Sequence, residues 1–315
     1  VITSGSQPSA APQTSASPAS SSSPSSSSSS SAPQTFSAPD GTTLAYHVSG
    51  SGAPLLCLPG GPFQNSAYLG DLGGLSAHRR LIRLDLRGTG ASAVPEDPAS
   101  YRCDRLVEDV EALRAHLGLE TVDLLGHSAS ANLAALYTAR YPERVARLVL
   151  VAPGTAAVGL DTSAEVRKAT ARLRSGESWF GPAYEALERL STNSGSAEDV
   201  QAVTPFFHGT WDDAAREFQA ASGRQRNKDA AAVYGSEGAY DPAATRAVLA
   251  EFGRPVLVVA GEFDANTPVP TATAYAELFP KAERSGLVVL AGAGHFPWHD
   301  DAEGLVTAVA AFLEG

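Results

Sequence analysis

The chain reads as an α/β protein: a mostly parallel central sheet flanked by helices, with an inserted helical cap. Three observations predict this. After the first 34 residues, short apolar runs of strand length alternate with amphipathic segments of helix length, the pattern of a sheet covered on both faces. Between Gly154 and about Tyr240 the rhythm breaks, and helical segments recur without a buried strand. Once the N-terminal tail is set aside, roughly 280 residues remain, enough for a large core and an inserted subdomain.

The tail comes first. Sixteen of the first 31 residues are Ser, and no Lys, Arg, Asp or Glu precedes Asp40. Sequence so poor in large apolar side chains buries too little surface to offset the entropy of ordering it, so residues 1–34 are expected to be disordered. Candidate strands then follow at Thr43–Val48, Leu55–Leu58, Leu81–Leu86, Val122–Leu125, Val145–Val151, Pro255–Ala260 and Leu287–Leu290. The clearest helix is Asp104–Leu117, where Leu106, Val110, Leu113 and Leu117 form one apolar stripe. Ser128–Tyr141 is Ala-rich and reads as a buried helix, with Ala129, Ala131, Ala134 and Ala135 permitting close approach to the strands. Helical segments at Ala164–Arg174, Pro182–Leu190 and Asp212–Ala221 fill the insertion. The expected division is therefore a core of 35–154 and 246–315 and a cap of 155–245. Nine of the 23 aromatic residues lie in the insertion, as pocket walls or simply as the glue of the cap.

The formal charge is −11, from 23 basic and 34 acidic residues. Nucleic acid and anionic membrane both demand a basic patch, so neither is an expected partner. No apolar run reaches the ~18 residues that span a bilayer. Two cysteines, Cys57 and Cys103, are too few for a secreted disulfide framework, although one bridge between them stays open. Residues 1–35 lack a basic start and an apolar stretch of about 7–15 residues, so no secretory signal is read and a cytoplasmic protein is expected. The chain contains no Met and begins with Val1, however, and such a tail also fits a tether behind a removed signal or lipid anchor.

The chemistry concentrates at strand ends. Gly126-His127-Ser128-Ala129-Ser130 sits where a buried strand meets the Ala-rich helix. It matches the nucleophile elbow G-x-S-x-G except that Ser130 replaces the last Gly. A Ser in that place is also an ordinary helix N-cap. As a nucleophile it needs a His to accept its proton and an acid to orient that His, both following in the chain at later strand ends. Asp264 stands on the loop after the strand 255–260, with Glu262 as a local rival and an Asx-turn as its alternative role. His295 follows the last strand on the Gly-rich loop 291–294, where a mobile base is expected; His127 and His299 compete with it. Pro297 separates His295 from His299 and argues against a metal-binding helical pair. For the oxyanion, the expected donors are the backbone N–H groups of Ala129 and of Gly61, in the loop Pro59-Gly60-Gly61-Pro62. Phe63, Phe207, Trp211 and Phe296 are the candidate walls of an apolar substrate pocket. No metal or organic cofactor is implied, and the expected partner is a small-molecule or short-peptide substrate.

Taken together, LPGGP at 58–62, LDLRGTGAS at 84–92, GHSAS at 126–130, GEFD at 261–264 and GAGHFPW at 292–298 resemble the α/β-hydrolase superfamily. Within it the chain is most similar to the proline iminopeptidase branch. That resemblance implies a structural role for Asp85 and Arg87. The family loop usually reads H-G-G-P-G, whereas Pro59 and Phe63 stand here at its first and last places. The family also binds a free amine through cap carboxylates; Glu177, Glu185, Glu188, Glu217 and Glu237 are available but lie in no matching motif. The expected activity is therefore a serine hydrolase cleaving an ester or amide through an acyl-enzyme. A small-molecule esterase or thioesterase, a biosynthetic acyltransferase, and a non-catalytic ligand-binding protein are the alternatives.

Overall fold

The structure, a computed structural model, describes residues 32–315. The expected disordered tail therefore lies, up to residue 31, outside the described residues. Eight strands form one sheet: β1 (Gln34–Ser37), β2 (Thr43–Ser49), β3 (Pro54–Leu58), β4 (Arg80–Asp85), β5 (Val122–His127), β6 (Val145–Val151), β7 (Val256–Gly261) and β8 (Ser285–Leu290). Their order is β1-β2-β4-β3-β5-β6-β7-β8, antiparallel across β1/β2 and β2/β4 and parallel elsewhere. This is the mostly parallel sheet that the sequence predicts. β1 escapes sequence reading because only Phe36 of its four residues is buried.

Side-chain alternation along the strands sorts the apolar residues onto two faces. Leu56, Ile82, Leu124, Leu148 and Val256 stand in register across five strands and belong to one core cluster, whereas Leu55, Leu81, Leu125, Val149 and Leu257 face another. The first face is covered by α1 (Cys103–His116) and α2 (Ser130–Arg140); of the expected stripe Leu106, Val110 and Leu113 are fully buried, while Leu117, just past α1, is half-buried. Between β6 and β7 run α3 (Ala164–Arg172), α4 (Phe180–Ser191), α5 (Ala197–Ala202), α6 (Asp213–Arg224), α7 (Lys228–Tyr234) and α8 (Pro242–Leu249), each but α4 started by a side chain that accepts a first-turn N–H. Then come α9 (Val269–Ala276), α10 (Pro297–Asp300) and α11 (Ala302–Glu314), the last covering the second face with Leu305, Val309 and Phe312.

The insertion has its own small apolar cluster, from Ala171 to Phe206 and joined by Ala265. The expected cap boundary at 245 falls inside α8, whose Leu249 is buried in the first core cluster. Tyr234 of α7 packs there too, so the later cap helices rest on the core while α3 to α5 stand apart with the cap's own cluster.

Asp85 and Arg87 both act inside the fold. The Asp85 carboxylate accepts from the Ser66 hydroxyl at 2.6 Å and the Ala91 N–H at 2.9 Å. Arg87 Nε donates to Asp109 at 2.8 Å, and its Nη1 donates to Asp40 at 2.7 Å. Buried charges of this kind persist only when paired and hydrogen-bonded.

Candidate active site

The sheet changes winding direction between β3 and β5, which are parallel neighbours, and a crevice at the carboxyl ends of such strands is where open α/β sheets place ligands. Ser128 stands there, one residue past β5, at φ 52°, a left-handed conformation that non-Gly residues adopt only under strain. Small neighbours make that turn possible. A Cβ on Gly126 would lie 2.7 Å from the Ser130 carbonyl oxygen, and one on Gly60 would lie 2.9 Å from Ser128 Cβ. Ser130, in place of the motif's last Gly, uses its hydroxyl to donate to the Pro59 carbonyl, tying the elbow to the loop after β3.

The Ser128 hydroxyl lies 2.7 Å from His295 Nε2, and His295 Nδ1 lies 2.7 Å from Asp264 Oδ2. An ionised carboxylate only accepts, so Nδ1 carries the ring proton and Nε2 is left to accept from Ser128. Asp264 is fully buried, and its other oxygen, Oδ1, accepts from the Asn266 N–H at 2.8 Å and the Thr267 N–H at 3.1 Å. The Asx-turn role and the contact with His295 thus fall to different oxygens of one side chain. From the insertion, Arg167 donates to the Ala265 and Asn266 carbonyls at 2.9 and 2.8 Å and fastens the same loop. Glu262, the rival acid, instead accepts from the Gly292 N–H at 2.8 Å.

Of the two glycines before His295, Gly294 serves close packing, whereas a Cβ on Gly292 would meet nothing within 4 Å. His295 N–H donates to the Phe207 carbonyl at 2.8 Å, Gly294 N–H to Asp300 at 2.9 Å, and a Cβ on Gly294 would meet the Phe207 carbonyl at 2.6 Å. Asp300 also accepts from the Gly209 N–H at 3.0 Å, tying the insertion to the loop that carries His295.

His127 faces away from Ser128. Its Nε2 lies 2.9 Å from the His295 carbonyl, which only accepts, so Nε2 carries the proton and Nδ1 accepts from the Tyr68 hydroxyl at 2.7 Å. Tyr68 in turn accepts from the Gly60 N–H at 2.6 Å. Burial holds the His127 imidazole well below its ordinary pKa of 6.5, and a charge on His295 would push it further down. Neutral His127 therefore links the loop after β3 to the loop that carries His295. Gly60 N–H is engaged in this chain of bonds, whereas the Gly61 and Ala129 N–H groups donate to no acceptor among the described residues. Gly61 has φ 113° and precedes a cis peptide bond to Pro62.

A cavity of about 280 Å³ opens over Ser128 and His295, with Gly61, Phe207 and Phe296 in its wall. Two expected wall residues lie elsewhere. Phe63 is fully buried because its backbone, at φ 56°, turns the ring into the core against Tyr101 and Tyr234, at centroid distances of 5.1 and 5.7 Å. Trp211 packs on His208 at 5.0 Å and lies outside the cavity wall. Sequence reading missed Gln64, Gln219, Ser222, Arg226 and Asn266, which line the cavity from separate loops and one helix. Only Asn266 had a signal, its place two residues after Asp264. Among the described residues no group of three or more His, Cys, Asp or Glu is placed to hold a metal ion, and no helix is long and apolar enough to cross a membrane.

A family model described as alpha/beta hydrolase fold matches residues 53–302. A proline iminopeptidase from Heyndrickxia coagulans is 36% identical over 105 residues, 33% of this chain and 36% of that protein. The chain thus spans about a third of that relative's length. An esterase from a Rhodococcus species superposes with TM-score 0.66 at 25% identity, over 90% of this chain and 98% of that one. An esterase from Exiguobacterium antarcticum superposes equally well, TM-score 0.66 over 89% and 99% of the two chains, but at 19% identity it shares the fold alone.

Proposed function

The chain belongs to the α/β-hydrolase fold family, and we propose that within it this protein is a serine hydrolase that cleaves an ester through an acyl-enzyme. The observation that carries the proposal is the hydrogen-bonded series Ser128, His295, Asp264, with both links at 2.7 Å. In the proposed cycle, Ser128 Oγ attacks the substrate carbonyl carbon while its proton passes to His295 Nε2. Asp264 holds the resulting imidazolium. The free N–H groups of Gly61 and Ala129, the latter at the start of α2, are the proposed donors to the oxyanion. Collapse of the tetrahedral intermediate expels the leaving group, which takes the proton from His295. Water then attacks the acyl-enzyme, gives a proton to His295, and Ser128 recovers it as the acid departs.

A second reading, an aminopeptidase specific for N-terminal proline, is favoured by the similarity to the Heyndrickxia enzyme. Recognition of a free amine calls for a carboxylate in the pocket, and among the described residues none lines this cavity. Residues 1–31 contain no acidic residue that could supply one. Glu177, Glu185, Glu188, Glu217 and Glu237 all lie outside the cavity wall. The cavity therefore supports the ester reading. The test compares initial rates on a short-chain p-nitrophenyl ester and a prolyl arylamide with a free N-terminus, with Ser128→Ala as the blank for both. Ester turnover falling on the order of 10⁶-fold in the variant is the expected result. Retained ester turnover would overturn the nucleophile, and faster arylamide turnover would restore the peptidase reading.

A further inference from the structure

Among the described residues, the cavity wall holds one side chain with a permanent charge, Arg226. Elsewhere in the fold Arg87 meets Asp109, Arg174 meets Glu177 and Arg189 meets Asp199, while Arg167, outside this cavity wall, spends its guanidinium on the Ala265 and Asn266 carbonyls. Arg226 has no carboxylate partner among the described residues. Its Nε donates to the Pro62 carbonyl at 3.0 Å, no hydrogen bond among the described residues engages its two terminal nitrogens, and the residue is exposed at the cavity wall.

That position is built, not casual. Asn65 N–H donates to the Gln225 carbonyl at 3.1 Å and Asn227 N–H to the Phe63 carbonyl at 2.9 Å, on either side of an antiparallel bridge between Gln64 and Arg226. The side chain of Asn227 then donates to the Gly88 carbonyl at 2.9 Å and caps α7. The backbone of Arg226 is thus stitched to the segment that directly follows Gly61, and its guanidinium is fixed to the next carbonyl of that loop. Desolvation with no anion to offset it holds the Arg226 pKa below the usual arginine value. An open guanidinium fork matches a carboxylate in two parallel N–H to O bonds. The whole chain carries a formal charge of −11, so this guanidinium is a local exception to a field that repels anions.

Resting on the serine-hydrolase reading, we propose that Arg226 is a specificity-determining residue that binds an anionic group of the substrate, so that the preferred substrates are carboxylate-bearing esters. The carboxylate sits either on the acyl chain or on the leaving group, and the two arms of the test separate these. In the acyl arm, kcat/KM is measured for the p-nitrophenyl hemiesters of succinate and glutarate against the uncharged p-nitrophenyl butyrate and valerate. In the leaving-group arm, 4-acetoxybenzoate is set against its methyl ester. Each ratio is taken in the unmodified protein, in Arg226→Gln and in Arg226→Lys.

The expected result is an anionic-to-neutral ratio that falls at least tenfold in Arg226→Gln in one arm, mainly through KM. It recovers in part in Arg226→Lys and shrinks as salt is raised. A ratio unchanged by Arg226→Gln in both arms would overturn the subsite while leaving the hydrolase reading intact. Binding of the intact hemiglutarate and of 4-acetoxybenzoate to Ser128→Ala, by calorimetry, reads the subsite without chemistry. Binding weakened at least tenfold by adding Arg226→Gln upholds the subsite even where Ser128 proves not to be the nucleophile, and equal or absent binding overturns it.

Discussion

Ser128 occupies a backbone conformation that suits Gly better than Ser, at φ 52°. Holding a side chain there costs about 1–2 kcal/mol, so Ser128→Gly should raise the unfolding free energy by about 1 kcal/mol in urea melts, whereas Ser128→Ala should not. Equal stability of the two variants would show that the turn stores no strain. His127 supports a second prediction. Its folded pKa lies well below 6.5, chiefly because burial penalises the imidazolium. Below about pH 6.5 an unfolded chain takes up a proton that the folded chain refuses, so stability is full above that pH and declines as pH falls through it. His127→Gln should make this decline shallower by up to about 1.4 kcal/mol per pH unit, read from urea midpoints between pH 6.5 and 5. An unchanged slope would mean that His127 titrates freely in the fold. Ser128 and Asp264 were legible in the sequence because each follows a fully buried strand in a local motif, and His295 because a short apolar run and the Gly-rich loop 291–294 precede it. Tyr68 and Arg226 were not, because loop closure brings them in and no periodicity marks them. Phe63 misled because its left-handed backbone, invisible in the sequence, turns the ring away from the cavity.

At the scale of the element, the contact between β5 and α2 is what holds the elbow in place. A Cβ on Gly126 would meet the Ser130 carbonyl at 2.7 Å and Ala134 Cβ at 3.0 Å, so Gly126→Ala must push α2 away from the sheet. A loss of about 2 kcal/mol in stability is expected in urea unfolding, along with slower turnover. An unchanged melt would show that the helix has room to spare. The strands β2 to β8 and the core helices α1 and α2 were readable because their apolar spacing is set by burial on the sheet, whereas β1, with only Phe36 buried, was not. Boundaries inside the insertion were not, since α7 and α8 lean on the core while α3, α4 and α5 share the insertion's own cluster. Amphipathic spacing says that a helix has a buried face but not which neighbour buries it.

Across the whole molecule, the sheet separates the two cysteines. Cys57 faces the cluster covered by α11, Cys103 faces the cluster covered by α1 and α2, and both are free. A bridge needs Cα atoms within about 7 Å and facing Cβ atoms, which two faces of one sheet do not provide. Burial pushes both thiols up to about 12, so a disulfide-exchange reagent should titrate neither in native buffer and both after unfolding. Rapid reaction of either thiol in native buffer would contradict the packing. The same sheet carries the loops after β3, β5, β7 and β8 to the carboxyl ends of its strands, and we propose that this convergence makes Ser128 a nucleophile. The most direct measurement is intact-mass and peptide-level mass spectrometry after exposure to a fluorophosphonate. The expected result is a single phosphonyl adduct on Ser128 in the folded protein, absent from Ser128→Ala and greatly slowed in His295→Ala. No adduct, or an adduct on another residue that persists in Ser128→Ala, would contradict it.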